Sequence, residues 1–220
     1  MDTDTNGDDT ERTDDADERF DGVWPVALRG VTESVVTTLG PNGLWNAAAL
    51  GLHAPEDGLE AGSDEAVEAV TWGNTRTRRN FTRRGGGVVQ FVADPREFVD
   101  AALTVREESE PVLESADAWA RVTAERIDGG VDDDTQWERW RLVPGTGAVR
   151  RQRPFTINRA FYAVVDATVA ASRLDVPGYD TERLLDRLAY FAETVDACGG
   201  AAEREAFARI DRETGWRERS

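Results

Sequence analysis

Arginine side chains are concentrated in the middle of an otherwise acidic chain. Five of them lie between positions 76 and 84: Arg76, Arg78, Arg79, Arg83 and Arg84. Hydroxyl and amide residues separate them, and Gly85–Gly87 then leads into the apolar run that ends the segment Thr71–Val92. Guanidinium groups, hydroxyls and the N–H groups that begin a helix are the groups that hold a phosphate ester. The segment therefore indicates an anion-binding site beside a sheet, with a solvated arginine-rich turn as the alternative.

The candidate phosphate ligands in this segment are Arg76, Thr77 and Asn80. A network of ion pairs with nearby carboxylates is the competing interpretation of these residues. A second basic group lies further along the chain: Arg150, Arg151, Arg153 and Arg159. It could complete the same site or only pair with acids, and the sequence favours neither. Together the two groups hold nine of the 26 arginines, enough local positive potential to attract an anionic ligand.

The composition excludes several kinds of catalytic site. The chain has one cysteine, Cys198, and one histidine, His53, so it can form neither an intramolecular disulfide nor a Cys/His zinc site. It has no lysine, which removes Walker-type phosphate binding and Schiff-base catalysis. His53 lies near the end of a predicted strand, where we expect a structural or surface role and not acid catalysis.

Charge is the strongest global feature of the sequence. The chain has 43 acidic residues against 26 arginines, a formal net charge of −17. An excess of surface carboxylates without lysine suits a protein that stays hydrated in concentrated salt, where repulsion between charges is screened. We therefore expect the protein to come from the cytoplasm of a halophile. Nucleic acid is not expected as a partner, because binding to a phosphate backbone needs a broad basic face and weakens in salt.

The N-terminal residues 1–22 are expected to form a disordered acidic tail. Met1–Asp21 contains ten acids and two arginines but no valine, leucine or isoleucine, so it cannot bury enough surface to offset its ordering entropy. No apolar run approaches the roughly 18 residues that span a bilayer. The beginning of the chain also lacks the basic-then-apolar order of a secretion signal. The sequence therefore predicts a soluble, cytoplasmic protein with no membrane partner.

A strand and a hairpin follow the tail. Val31–Leu39 is rich in β-branched residues and predicts a strand, a Gly-Pro-Asn-Gly turn follows, and Leu44–His53 returns as the second strand. The centre of that second strand, Asn46–Ala49, has small side chains. Small side chains in a sheet allow a flat ligand or another backbone to approach closely. Packing against a large aromatic residue such as Trp45 or Trp72 is the alternative.

The rest of the chain predicts more strands and then helices. The next elements, in order, are a strand at Ala66–Trp72, a helix at Thr75–Arg84, a strand at Gly87–Ala93, a helix from Asp94 and Pro95 to about Val105, and a hairpin of Ala118–Ile127 and Gln136–Val143. Beyond Pro154 the apolar period changes from two to 3.6 and predicts three helices. Six antiparallel strands most economically close as a small barrel. We therefore expect a mainly β, α+β fold, with a barrel over 23–153 and a three-helix unit over 154–220.

The chain resembles archaeal FMN-binding split-barrel proteins of unknown function, which are related more distantly to flavin-reductase-like barrels. The similarity runs from about Val31 to Leu174. It rests on four local patterns in a fixed order: the first strand and turn leading to Asn46-Ala47-Ala48, the segment Asn74-Thr75-Arg76-Thr77-Arg78-Arg79-Asn80, Asp94 with Phe98, and Asn158-Arg159-Ala160.

The resemblance implies an antiparallel FMN-binding split β-barrel that holds FMN at a barrel edge, near a homodimer interface. The phosphate of FMN would contact the Thr75–Asn80 segment, and its ring would lie against Asn46–Ala48. The cofactor-binding residues that the resemblance implies are Thr38, Asn46, Ala47, Ala48, Thr75, Arg76, Thr77, Asn80, Asn158 and Arg159.

Two functional hypotheses of different classes follow. The first is a flavin-dependent oxidoreductase or flavin reductase, in which FMN supplies the redox chemistry and no side chain is required as the catalyst. The second is an FMN-binding carrier or sensor that acts through a protein partner. Oxidation of NAD(P)H by the pure protein separates them. A third hypothesis is a structural or nucleotide-binding barrel that lacks flavin.

Overall fold

The computed structural model describes residues 17–132 and 134–219. Within them the chain forms strands and helices in this order: β1 (Glu18–Phe20), β2 (Val31–Leu39), β3 (Trp45–His53), β4 (Val67–Trp72), α1 (Arg76–Arg84), β5 (Gly86–Val92), α2 (Pro95–Leu103), β6 (Arg106–Glu108), β7 (Ala116–Asp132), β8 (Thr135–Val149), α3 (Arg159–Ala171), α4 (Thr181–Cys198) and α5 (Ala201–Thr214). A short 3-10 helix, Trp216–Glu218, follows α5.

Six antiparallel strands close into a barrel. β8, β4, β3, β2, β5 and β7 are neighbours in that order, and β7 pairs again with β8 to complete the ring. β1 pairs with the end of β8, and β6 pairs with the beginning of β3. Closure removes the unpaired edges that an open sheet of this size would expose. The predicted α+β fold with an antiparallel barrel is therefore confirmed.

The barrel interior is filled by large side chains, and α1 covers one end of it. Trp24, Leu52 and Trp140 are almost fully buried there. Phe81 of α1 packs edge-on against the Trp140 ring at a centroid distance of 5.2 Å. The Trp140 indole N–H donates a hydrogen bond of 2.9 Å to the hydroxyl of Thr71. The helix is therefore attached to the barrel core by its apolar face, and its arginine-rich face stays outside.

The C-terminal helices form a second apolar core beside the barrel. α3, α4 and α5 bury one stripe each, with Val164, Leu188 and Ile210 fully enclosed. Val99 of α2 is buried in the same cluster. The barrel segment therefore supplies a helix to the C-terminal core, because an amphipathic helix on the outside of a barrel needs an apolar surface to cover it.

Three elements differ from the sequence-based expectation. Glu18–Phe20 lies inside the expected tail but is a strand, because its backbone groups pair with the free edge at the end of β8. Residues 1–16 lie outside the described residues. The turn expected at Asp128–Thr135 is mostly strand, since β7 and β8 continue pairing to Asp132 and Thr135. Residues on that ribbon are largely exposed, so they show no apolar alternation.

β8 also continues beyond the expected Val143 to Val149, through Pro144. Pro144 lies where the β7–β8 register shifts between Ala120 and Val122, and an irregularity of this kind tolerates a residue without an N–H donor. β6 was not expected, because three polar residues carry no apolar pattern. None of the helices in the described parts of the chain is long and apolar enough to cross a membrane.

Candidate functional site

The edge of β3 that faces β4 is only partly paired. β4 pairs with Leu52 and His53, and β6 pairs with Trp45, Asn46 and Ala47. The four residues between them, 48–51, have no strand partner on this edge within the described residues. The two strands separate here because β4 leads away toward α1. Free backbone donors and acceptors beside small side chains can contact the edge of a flat ligand.

A cavity of about 730 Å³ opens at this gap in the ladder. β3 lines it from Ala48 to Gly51, and β4 with its following turn lines it from Val70 to Gly73. The other walls come from α1, from α2 through Phe98, and from the end of α3 with the loop to Tyr179. The barrel and the helical unit thus enclose the site together, at a volume typical of small-molecule pockets.

The N-terminus of α1 lies at the cavity, where Thr75 and Thr77 form part of the lining. Thr75 is the N-cap, and its hydroxyl accepts a bond from the Arg78 N–H at 3.2 Å. The N–H of Arg79 is bonded to the Thr75 carbonyl. Of the orphan donors that begin a helix, those of Arg76 and Thr77 remain for a ligand.

Thr77 supplies the second observation at this helix end. Its side chain lines the cavity, the residue is 4% exposed, and its Oγ1 has no hydrogen-bond partner among the described residues. A buried hydroxyl without a partner costs about 1–3 kcal/mol. The hydroxyl is thus a buried polar group at the cavity wall whose hydrogen-bonding capacity is unused.

The arginines of α1 make ion pairs and hydrogen bonds of their own. Arg76 contacts Glu107 of β6 at 2.8 Å, and Arg79 donates to the carbonyl of Asn74. Arg78 lies 3.9 Å from Glu138. None of these guanidinium groups lines the cavity. The ion-pair network that was the alternative interpretation of this segment is therefore present, beside a helix start that remains open.

Three of the predicted site residues form a buried polar group under α1. The amide of Asn80 donates to the hydroxyl of Thr38 at 3.0 Å, and Asn46 stands opposite Thr38 in the β2–β3 ladder. All three are at most 7% exposed. Ala47, one position along, belongs to a cluster that also holds Ala101 of α2. Of the predicted site residues, Ala48, Thr75 and Thr77 therefore line the cavity. The packed interior holds the other four just described: Thr38, Asn46, Ala47 and Asn80.

Asn158 and Arg159 lie at the other end of α3 from the cavity. Asn158 caps α3 through the Ala160 N–H, and Arg159 donates to the Cys198 sulfur at 2.9 Å. The cavity is lined instead by the last turn of that helix, at Thr168 and Ser172. A helix of 13 residues separates the two ends by about 20 Å.

The second arginine group pairs with acids and backbone carbonyls. Arg153 and Arg151 both contact Asp117, at 2.7 and 3.6 Å, and Arg150 lies 3.7 Å from Asp17. Arg150, Arg151 and Arg153 line a larger cavity of about 1010 Å³ beside α2, where acidic side chains are mixed with them. Their positive charge is neutralised locally. Ser115 of the larger cavity also has a buried hydroxyl without a partner, but carboxylates lie in the first turns of α2 and α5 at that cavity. We therefore place the candidate site at the smaller cavity, where the Thr77 hydroxyl lies at a helix start without carboxylates.

Glu33 and Arg173 line the same cavity and were not expected from the sequence. Glu33 stands on β2 opposite Gly51, and Arg173 follows α3. Partial burial raises the pKa of the Glu33 carboxyl, and the nearby His53 and Arg173 oppose that effect. The only sequence signal for this part of the site was Glu33 itself, which is a charged residue in a strand rich in β-branched residues. Arg173 could not be connected to it without the tertiary structure.

The chain matches both parts of one family: residues 32–151 match the N-terminal domain of the DUF447 proteins of unknown function, and residues 158–212 match the second part. It is similar in structure to an FMN-bound DUF447 protein of Methanosarcina mazei, with a TM-score of 0.67, 24% sequence identity, and 84% of this chain and 95% of that chain covered. A second similar structure is the flavin reductase of the styrene monooxygenase of Pseudomonas putida S12. Its TM-score is 0.38 and its sequence identity is 12%, with 60% of this chain and 95% of that chain covered, so this similarity is too distant to bear on the fold. The chain therefore belongs to the DUF447 family.

Proposed function

We propose that this protein binds FMN in the 730 Å³ cavity at the gap between β3 and β4. The observation that carries the proposal is Thr77, whose buried hydroxyl lacks a partner at the open N-terminus of α1. A phosphate monoester fits this position, because a helix N-terminus and a free hydroxyl both favour an anion with acceptor oxygens. The FMN-bound family member from Methanosarcina mazei supports the same choice of ligand.

Different residues of this chain would contact the phosphate and the ring system of FMN. Thr77 Oγ1 and the N–H groups of Arg76 and Thr77 would bond to the phosphate. The unpaired backbone edge from Ala48 to Gly51 would face the ring system, and Trp72 and Phe98 would cover it with apolar surface. Bound FMN would supply one- and two-electron redox chemistry, while the cavity walls limit the access of water.

The reaction remains a choice between two classes. In the first, the protein is a flavin-dependent oxidoreductase or flavin reductase that passes electrons between FMN and a second substrate. In the second, it is an FMN carrier or sensor, and the helical unit that forms one cavity wall contacts a protein partner. Oxidation of NAD(P)H by FMN-loaded protein, followed as loss of absorbance under aerobic conditions, favours the first. Retention of FMN with no oxidation of either dinucleotide favours the second.

The binding proposal has a direct test in matched threonine variants of α1. Purified protein in multimolar salt is titrated with FMN and with riboflavin, which lacks the phosphate, and quenching of flavin fluorescence is measured. Thr77→Val should weaken FMN binding by about tenfold or more, since a hydrogen bond to a charged group contributes about 1.5–3 kcal/mol. Riboflavin binding should change much less. Thr82→Val is the control, because the exposed Thr82 hydroxyl bonds to the Arg78 carbonyl in the same helix.

Failure of the parent protein to bind FMN at micromolar concentrations would refute the proposal. Equal losses of FMN and riboflavin in Thr77→Val would place the phosphate elsewhere. In that case the arginines of the larger cavity, beginning with Arg150, would be the next candidates.

Three further properties belong to the same proposal. We infer a homodimer, because symmetric dimers are the commonest closed assembly and family resemblance favours one. Light scattering in high salt that returned about 24 kDa, the mass of one chain, would contradict it.

We also infer a split-barrel relationship from the separation of β3 and β4, and a halophilic, cytoplasmic setting from the charge of −17 without lysine. No nucleic-acid partner is expected at that charge.

A further inference from the structure

Two opposite charges stand at one end of the cavity without contacting each other. Glu33 of β2 and Arg173 after α3 both line it. Within the described residues neither side chain forms an ion pair shorter than 4.0 Å, and neither has a side-chain hydrogen bond. Other arginines of the chain, such as Arg76 and Arg153, are bonded to carboxylates.

Gly51 lies beneath one of the two charged groups, and the Tyr179 ring lies beneath the other. A Cβ atom on Gly51 would lie 3.8–4.0 Å from the Glu33 carboxylate oxygens, so the carboxylate lies over a residue that has no side chain. The Arg173 guanidinium carbon lies 5.2 Å from the centre of the Tyr179 ring, in a cation–π contact. The guanidinium is thus positioned by packing, and the hydrogen-bonding atoms of both groups remain available.

Glu33 is distant from the phosphate end of the cavity. β3 and β4 are antiparallel, so α1 follows the end of β4 that lies toward Ala48. Glu33 instead stands opposite Gly51, three residues further along β3, which corresponds to about 10 Å. The cavity therefore has one end suited to an anion and another end that offers an acceptor and a donor together.

We propose that Glu33 and Arg173 together bind a neutral planar group that carries an N–H donor beside a C=O acceptor, which is the edge of an amide or an imide. The carboxylate can accept the N–H, and the guanidinium can only donate, to the C=O. This inference rests on the proposed function, since it concerns the same cavity.

A neutral group fits this position better than a charged one. The half-buried Ala49 and Val70 line the cavity with apolar surface near the exposed Glu33, and an ammonium or carboxylate placed against such surface loses part of its hydration. A lone anion would meet Glu33, and a lone cation would meet Arg173. A donor–acceptor edge satisfies both protein groups and introduces no net charge.

The same chemistry has two sources in a flavoprotein. One is the pyrimidine ring of the flavin itself, which presents an imide edge. The other is the reaction partner of the flavin, in which case the substrate class is a planar carboxamide or lactam. The experiment distinguishes the two by asking whether the flavin or a separate amide loses affinity.

The experiment uses Glu33→Leu and Arg173→Leu, with Glu33→Gln as the conservative variant that keeps an acceptor oxygen. Glu68→Leu and Arg139→Leu are the matched controls, because that pair forms an exposed ion pair at 3.5 Å between β4 and β8. The ligands are FMN, riboflavin and three probes that share one ring: benzamide, benzoate and benzylamine. Binding of the probes is measured by ligand-observed NMR on both FMN-loaded and flavin-free protein.

If the flavin is the source, both leucine variants should weaken FMN and riboflavin by the same factor, about tenfold or more, and Glu33→Gln should retain most of the affinity. If the reaction partner is the source, flavin binding should be unchanged and benzamide should lose about tenfold in each leucine variant. The control variants should change neither set of values by more than about twofold.

The inference fails if the leucine variants alter neither the flavins nor benzamide, or if benzoate or benzylamine binds the parent protein more tightly than benzamide. Failure of FMN binding is a separate result. The flavin-free benzamide titration still tests the amide site, and Thr77→Val, which distinguishes FMN from riboflavin, tests only the phosphate end.

Discussion

Arg76, the first residue of α1, is bonded to Glu107 of β6, with 2.8 Å between Nη1 of the guanidinium and Oε1 of the carboxylate. β6 in turn pairs with β3 just before the unpaired stretch that begins at Ala48. The pair therefore ties the helix start, where we place the phosphate, to the strand that forms the opposite rim of the cavity. Glu107 also neutralises the guanidinium of the first residue of the helix.

Removal of the Glu107 charge should strengthen FMN binding. In Glu107→Gln the Arg76 guanidinium loses its ionic partner and gains freedom to approach the phosphate, so FMN affinity should rise by about two- to fivefold, the size expected of an exposed charge interaction. Arg76→Gln should lower it by a similar factor. Both are measured by fluorescence titration at several salt concentrations, because screening should shrink the two effects together.

Riboflavin is the control for both Arg76 variants and Glu107 variants, since it has no phosphate to attract. If Glu107→Gln changed riboflavin binding as much as FMN binding, the pair would act through the shape of the cavity and not through charge.

Asn80 should contribute mainly to stability. Its amide is buried and bonded to Thr38, so Asn80→Ala removes that bond and leaves a small cavity, at a cost of about 1–3 kcal/mol in the free energy of unfolding. Chemical denaturation of flavin-free protein measures the loss. Asn74→Ala, an exposed residue in the loop before α1, is the matched control. A stable Asn80→Ala protein that lost FMN but kept riboflavin would instead make Asn80 a phosphate ligand.

Asp94 should make stability depend on pH. The Arg96 guanidinium, hydrogen-bonded to Asp94, holds the pKa of that carboxyl below its usual value. A pKa that is lower in the folded state contributes stability above the unfolded value of about 3.9, and that contribution is lost as the pH falls through the folded pKa. Asp94→Asn should therefore lower the free energy of unfolding at pH 7 by less than about 1 kcal/mol. The difference from the parent should shrink and disappear as the pH falls below the folded pKa of Asp94.

The control for that measurement is to make the same Asp94→Asn change in the Arg96→Gln protein. In this background the pH dependence of Asp94→Asn should become smaller, because the guanidinium bonds that lower the pKa are gone while the backbone N–H of residue 96 still bonds to the Asp94 carboxylate. Asp94→Ala should cost about 1 kcal/mol more at every pH, since it also removes the N-cap of α2. A pH dependence of undiminished size in Arg96→Gln would show that the guanidinium does not lower the Asp94 pKa.

Salt should stabilise the folded chain. The net charge of −17 opposes compaction, and the Debye length falls from about 10 Å at 0.1 M to about 3 Å at 1 M salt. The midpoint of thermal unfolding should rise by at least about 5 °C between 0.1 and 2 M KCl. Sorbitol at equal osmolality does not screen charge and is the comparison. Equal shifts in KCl and sorbitol would remove the electrostatic explanation.

Local patterns in the sequence determined most of the elements around the site. β-branched alternation predicted β2, a Gly-Pro-Asn-Gly turn predicted the connection to β3, and the threonine cap and arginine-rich run predicted α1 between β4 and β5. These signals are readable because each depends on neighbours within a few residues along the chain, where capping, turn and burial preferences act. Conclusions from composition do not depend on the fold. The lack of lysine excludes Walker-type phosphate binding and Schiff-base catalysis, and the single Cys198 and His53 exclude an intramolecular disulfide and a Cys/His zinc site.

The tertiary structure alone decided which side chains share the cavity. Arg76 belongs to the predicted cradle, yet its guanidinium pairs with Glu107, because the pairing of β6 with β3 brings that carboxylate to the helix start. Asn80 and Asn46 match the expected motif but lie inside the packed barrel end, whereas Glu33 and Arg173, far apart in the chain, line the same cavity. Such pairings arise from strand register and helix docking, which no local pattern encodes, since a shift of one residue in register turns a side chain to the opposite face.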